Sequence, residues 1–233
     1  MPDTGNHQRT RLAAGRCCRS RLDIQAGSEK AIAATMTYTT ELMAVAMLSA
    51  ALAGNNTRWK ELGNAPDWVE KVLKLDAPIA RMAERYRYMR QCVMLGRGFN
   101  YCTAFEWALK LKELTYVVAE PYSSADFRHG LIVFIEGGCP VIAVAPGGKV
   151  FGTMLEMLGK LCHEQSAELV VISDEKRALS LAQSPIRLPG GIPEWLTSLV
   201  SIVPGQLFTG PLTRAKGYDP EKPRALDKIT ETQ

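Results

Sequence analysis

Five short apolar runs, each set off by turn residues or helical stretches, constrain this chain more than any other feature. They are Gln91–Leu95, Leu131–Ile135, Val141–Val144, Leu169–Ile172 and Ile186–Leu188. Runs this short and this apolar, with no polar alternation, suit strands buried on both faces, the situation of parallel strands covered by helices. The segments between them carry helix signals. Gly147-Gly148 precedes a predicted helix to about Gln165, Glu175–Ala182 reads as a short helix, and Glu194 to about Lys216 reads as a last one, bent at Pro204. Strand and helix in alternation give an α/β fold: a doubly wound parallel sheet flanked by helices.

Upstream of Gln91 the period is helical throughout. Glu29–Ala53 reads as one helix stopped by Gly54-Asn55-Asn56, with Leu42–Ala53 as its buried part. Pro66 opens a second helix, where a missing donor costs little, and Ala77-Pro78 precedes a third over Ile79–Tyr88. Thr103-Ala104-Phe105-Glu106 fits a capping box, so a helix is expected from there to about Tyr116. The expected organisation is a disordered or mis-framed segment 1–28, helices over 29–88, an α/β domain over 89–216 and a tail over 217–233. Suitable codons for the first segment, shifted by one base, would spell a strand end, a turn and a helix, which is why a mis-framed start is expected there.

Charge narrows the partners. Five of the 28 basic residues and one of the 24 acidic ones lie in residues 1–22, which leaves 23 of each in the rest. The net charge of +4 therefore belongs to the N-terminal segment, and no basic stripe with interleaved aromatics marks a nucleic-acid surface. Leu42–Ala53 is too short for a bilayer, which takes about 20 residues. The six cysteines have no zinc-like spacing and read as free thiols of a reducing cytoplasm; neither metal nor cofactor is expected.

Two places carry chemistry. At the end of Gln91–Leu95, Gly96-Arg97-Gly98 occupies the position where ligands bind in open α/β sheets, and its glycines would let backbone approach a ligand. On the next helix, Glu106, Lys110 and Glu113 share one face by their spacing, which by itself is also the pattern of a solvated salt bridge. His129 is one of three histidines and lies in a loop. A partly desolvated carboxylate can shuttle a proton, and a histidine titrates near neutrality.

Leu95–Gly98, Ala108–Glu113, Ala119–Tyr122, His129-Gly130 and Pro223–Thr232 together resemble the isomerase half of the glutamine–fructose-6-phosphate aminotransferase family, which is built from two SIS (sugar isomerase) domains. The resemblance runs in unbroken order from about Glu29 to the C-terminus. It implies an SIS domain preceded by the closing helices of a first one, and a carbohydrate-derivative-binding protein of the aminosugar-phosphate isomerase or deaminase lineage. It implies Glu113 as proton shuttle, His129 as the ring-opening histidine of a neighbouring subunit's site, and Lys228 as the tail lysine that engages the open-chain sugar. It also implies substrate contacts at Ile32, Ala34, Thr35 and Asp227, a sugar phosphate or aminosugar phosphate as ligand, and a cytoplasmic homodimer. Departures are read alongside. The family's Ser/Thr-rich phosphate loop and its glutaminase domain are expected to be absent. Ala34 stands where serine is frequent, Met36 where lysine is usual, and Leu131 where proline usually follows His-Gly. A non-catalytic sugar-phosphate-binding or remnant module is therefore the alternative reading.

Overall fold

The computed structural model describes residues 22–224. Five strands, β1 (Gln91–Gly96), β2 (Val118–Ser123), β3 (Pro140–Val144), β4 (Glu168–Ser173) and β5 (Ser184–Arg187), form one sheet in the order β2-β1-β3-β4-β5. Every pairing is parallel, with Val93 opposite Val141 and Ile142 opposite Val170. Alternate side chains go to opposite faces, as a pleated strand requires. Met94, Ile142, Val170 and Ile172 enter one core, and Val93, Leu95, Val141, Ala143, Leu169 and Val171 enter the other.

The first core is roofed by helices. They are α1 (Met36–Ala53), α2 (Asn56–Gly63), α3 (Ala65–Leu73), α4 (Asp76–Arg85), α5 (Tyr101–Thr115) and, at the centre, α9 (Thr197–Ala215). The second is covered by α6 (Ser124–Arg128), α7 (Phe151–His163) and α8 (Lys176–Leu179). Of these, α2 has no counterpart in the reading above. Gly54 ends α1 in the left-handed conformation, and the Asn55 side chain then accepts from the N–H of Thr57 and so starts α2. The indole N–H of Trp195 donates to Glu61 at 2.7 Å and ties α2 to the body.

Two expected elements differ. Leu131–Phe134 is a 3₁₀ turn, with Val133 81% exposed, and the strand beside β1 at one edge is instead β2, whose Glu120, Pro121 and Tyr122 gave no apolar run. An edge strand needs only one neighbour, so it tolerates proline and charge. Helix α1 begins at Met36, not Glu29, and only Ala46 and Ala50 of it are buried. Val45 and Leu52 are 65% and 81% exposed, so the expected buried helix is buried along one edge only. Its 18 residues, of mean hydropathy 1.3, would be long and apolar enough to cross a membrane; here the helix packs against α2 and α9.

Helix α9 carries Pro204 and Pro211 inside it and buries most of its length. It passes so close to α5 that a Cβ on Gly205 would lie 2.7 Å from the ring of fully buried Trp107. Gly205→Ala is therefore expected to destabilise the fold. Overpacking costs about 1–3 kcal/mol, offset by the ~1 kcal/mol that alanine gains over glycine in a helix. Urea unfolding of the two proteins measures the difference.

Candidate active site

The carboxyl ends of β1 and β3 flank the point where strand order reverses, the usual ligand position in such sheets. In this sheet the position is already filled. The Asp174 carboxylate accepts from the N–H of Gly147 at 2.8 Å, and the Glu194 carboxylate accepts from the N–H of Lys149 at 2.9 Å. What remains between Arg97, Asn100, Gly147 and Glu194 is about 10 Å³, the room of a single water. Gly96 is glycine because a Cβ there would stand 2.2 Å from the Asn100 carbonyl oxygen. The expected ligand-approach loop is thus an approach of the chain to itself.

Beneath that turn, Asn100 donates to Thr197 at 2.8 Å and accepts from Ser201 at 2.6 Å, while the Thr103 hydroxyl faces Ser201 at 3.4 Å. This buried network explains why the capping box fails. Thr103 lies inside α5, which starts at Tyr101 with no side-chain cap, and its hydroxyl is committed to α9.

The polar face of α5 carries a cluster of charged side chains. Lys110 is only 6% exposed, and its ammonium lies 2.8 Å from Glu113 and 3.5 Å from Glu106. Burial pushes the Glu106 carboxyl above its ordinary range, against the pull of Lys110; the charges of Glu113 and Glu41 push the same way as burial. Tyr38 of α1 points at this face. Its hydroxyl is buried without a hydrogen-bond partner, and burial together with Cys102 and Glu106 raises its pKa. Sequence spacing alone offered Lys110 as one member of a solvated pair; its burial is a tertiary property.

The segment before α1 is folded onto the N-terminus of that helix by one carboxylate. Glu29 is buried and accepts from the N–H groups of Thr35 at 3.0 Å and Thr37 at 2.9 Å. Burial pushes its carboxyl up, but the N–H groups of Thr37 and Thr35 outweigh that and hold it below the usual range. Gln206 of α9 adds donation to the Thr35 carbonyl at 3.4 Å. Ile32, Ala34 and Thr35 therefore lie in a closed loop at the N-terminus of α1, and Glu29 is the residue the sequence reading missed. A lone glutamate six residues before an acceptor-seeking N–H leaves no periodic trace.

His129 does not join this face. It is exposed at the end of α6, where its N–H donates to the Asp126 carbonyl at 3.1 Å. Neighbouring Phe127 is in the second core, across the sheet from α5, and Arg128 pairs with Glu156 of α7 at 3.5 Å. Between the end of α5 and the start of α6 lies β2, six residues and so roughly 20 Å. Lys228 and Asp227 lie outside the described residues. Among the described residues no cluster of His, Cys, Asp and Glu could hold a metal ion, and Cys92, Cys102, Cys139 and Cys162 are free thiols.

A five-stranded parallel sheet wound by helices on both faces, with Lys110 buried between Glu106 and Glu113 on one of them, defines a doubly wound α/β domain. The SIS domain model matches residues 86–210, and the chain belongs to that family, in the sugar-phosphate isomerase lineage. It is 36% identical over 212 residues to the glutamine–fructose-6-phosphate aminotransferase (isomerizing) of Thermococcus kodakarensis, an alignment covering 87% of this chain and 35% of the relative. The chain thus spans about a third of the length of the curated relatives it matches. Among solved structures, the C-terminal domain of glucosamine-fructose-6-phosphate aminotransferase from Francisella tularensis superposes with a TM-score of 0.77 at 28% identity, covering 84% of this chain and 58% of that one. Tagatose-6-phosphate ketose/aldose isomerase from Escherichia coli shares the fold, with a TM-score of 0.69 at 21% identity over 81% of this chain and 52% of that one.

Proposed function

We propose that this chain supplies the second SIS domain of a sugar-phosphate or aminosugar-phosphate isomerase site. In this reading 89–216 is that domain, 29–88 closes a first SIS domain, and 217–233 is the tail that enters the site. Glu113 shuttles the proton between C1 and C2, and Lys110 holds its carboxylate in place. Ile32, Ala34, Thr35 and Asp227 contact sugar, Lys228 engages the open chain, and His129 serves a neighbouring subunit's site in a cytoplasmic homodimer. The observation that carries the reading is the ion triad on α5. A lysine buried to 6% exposure between two carboxylates is costly as a mere surface pair and suits a shielded proton carrier. Tyr38, which senses the Glu106 charge, comes from the segment that the resemblance links to sugar contact.

The test is an NMR titration of this chain with fructose-6-phosphate and glucosamine-6-phosphate. Millimolar binding is expected, roughly 4 kcal/mol or less, because the sheet's own anion position is filled by Asp174 and Glu194. Shifts should concentrate at Ile32–Thr35 and Lys110–Glu113. No localised shift at tens of millimolar would end this reading. A second reading, binding without turnover, is favoured by one residue: Met36, exposed in the first turn of α1, stands where the resembling family usually has lysine.

Self-association is expected as well. Val45, Leu48, Leu52 and Trp59 form an exposed apolar face on α1 and α2, of the kind that marks association surfaces. Sedimentation should find dimers or larger species; a well-behaved monomer at high micromolar concentration would contradict it.

A further inference from the structure

At the amino end of the sheet, where β1 and β2 begin and where α5 and α9 end, lies an open groove of about 660 Å³. Its cations are Arg87, Arg90 and Lys216, and its rings are Tyr88, Tyr116 and Tyr218. Among the described residues no acidic side chain lines it. Arg87 and Arg90 are exposed, and among the described residues neither pairs with a carboxylate. Lys216 is half-buried, and its ammonium donates to the carbonyls of Met89 at 2.6 Å and Arg87 at 3.1 Å. Burial, and after it the charge of Arg90, push that ammonium below its ordinary pKa range. Two helix ends oppose the cations. The C-termini of α5 and α9 bring about half a negative charge each. Lys216 offsets roughly that sum, and the two guanidiniums are left over.

The rings of the groove are held in place. Tyr116 caps α5 in the left-handed conformation, φ 56°, where glycine or asparagine is the unstrained choice. A tyrosine there serves through its side chain. Its ring meets that of Tyr218 edge to face at 4.8 Å, and the Arg224 guanidinium carbon lies 4.8 Å from both ring centres. The N–H of Arg224 donates to the Tyr116 hydroxyl at 2.6 Å. Tyr88 donates to Glu168, whose carboxylate Arg85 pairs at 2.7 Å, so this acid fixes the phenol and is itself neutralised. The Tyr88 ring remains half exposed.

We propose that this groove binds a diphosphate group, gripped by Arg87 and Arg90 beside Lys216 and walled by Tyr88 and Tyr116. A guanidinium is a planar fork of donors that matches phosphate oxygens, and hydrogen bonds between ions are the strong ones. Two uncommitted forks suit more than one phosphate; a single phosphate occupies one fork at a time. The volume is that of a small-molecule site. Nothing in this assignment depends on the α5 face or on its chemistry.

The experiment is an NMR titration of the whole chain with inorganic pyrophosphate in metal-free buffer. Saturable shifts are expected at Arg87–Arg90, Tyr116 and Lys216–Tyr218. Arg87→Gln and Arg90→Gln should each weaken binding about tenfold, the lower end of what a charged hydrogen bond contributes. Both side chains are exposed, so the variants should melt with the unsubstituted chain. Inorganic phosphate should bind about tenfold more weakly than pyrophosphate, having one fork to meet. ADP separates a free diphosphate from one carried on a flat ring. Stacking on an aromatic side chain is worth roughly tenfold, so tighter binding of ADP, with the excess removed by Tyr88→Leu, assigns a ring-bearing ligand. Equal affinities assign the free ion. Failure of pyrophosphate to saturate by about 10 mM, or unchanged binding to the double variant Arg87→Gln, Arg90→Gln, would overturn the site. Fructose-6-phosphate is the control. Its shifts belong at Ile32–Thr35 and Lys110–Glu113, so the groove and the sugar site stand or fall separately.

Discussion

Glu113→Gln is expected to lower proton exchange between C1 and C2 of a bound sugar phosphate by about 10²–10⁴, the usual contribution of a positioned acid–base group. The host is this chain joined to the first SIS domain of one of its relatives. The amide keeps the shape of the carboxylate, and its oxygen can still accept from Lys110, whose ammonium lies 2.8 Å from Glu113. What it cannot do is take up a proton and return it. Binding should therefore change little while solvent deuterium stops entering the sugar carbons. Exchange at the unsubstituted rate would return Glu113 to the role of a salt-bridge end.

Lys110→Met should be the most destabilising single change on the same face. Methionine keeps most of the length but leaves Glu106 and Glu113 side by side, with side chains 12% and 25% exposed and no cation between them. Removing one partner of a buried ion pair costs about 3–5 kcal/mol, which for a domain of this size is a fall of roughly 10 °C in melting temperature. The sign with pH follows. Without Lys110 the Glu106 carboxyl, already pushed up by burial, is harder still to ionise in the folded state, so the deficit is greatest at neutral pH. It shrinks as the pH falls and Glu106 protonates. Urea unfolding at pH 7 and pH 5 measures both. A loss under about 1 kcal/mol at neutral pH would mean that water already reaches the triad.

How much of this was legible from sequence depends on what each residue answers to. The three strands buried on both faces, β1, β3 and β4, announce themselves as apolar runs because little that is polar could be tolerated there. The edge strands β2 and β5 answer to one neighbour each, so Glu120 and Pro121 disguise the first, and Ser184, Pro185 and Arg187 leave only Ile186 as the apolar mark of the second. Leu131–Phe134 is the converse: apolar, mostly exposed and not a strand. Glu29–Thr35 has helix-forming composition, yet Glu29 spends its carboxylate on the N–H groups of Thr35 and Thr37 and holds the segment as a loop. In the site, spacing placed Glu106, Lys110 and Glu113 on one face, but only the packing of α1 and α9 over α5 makes that face buried. Gly96 read correctly as a point of close approach; what approaches is Asn100, and no local signal names a partner.

The filled position between β1 and β3 has a thermodynamic consequence. A ligand that binds only the native state stabilises it by mass action, and a sheet with an open mouth gains stability as anion concentration rises. Here Asp174 and Glu194 are tethered occupants, present at a concentration that no dilution changes. The sheet is in effect permanently saturated, and its loops are ordered whether or not metabolites are scarce. Any stabilisation of this chain by added sugar phosphate thus reports on another surface, and the α5 face becomes the one whose occupancy a simple melting curve can follow.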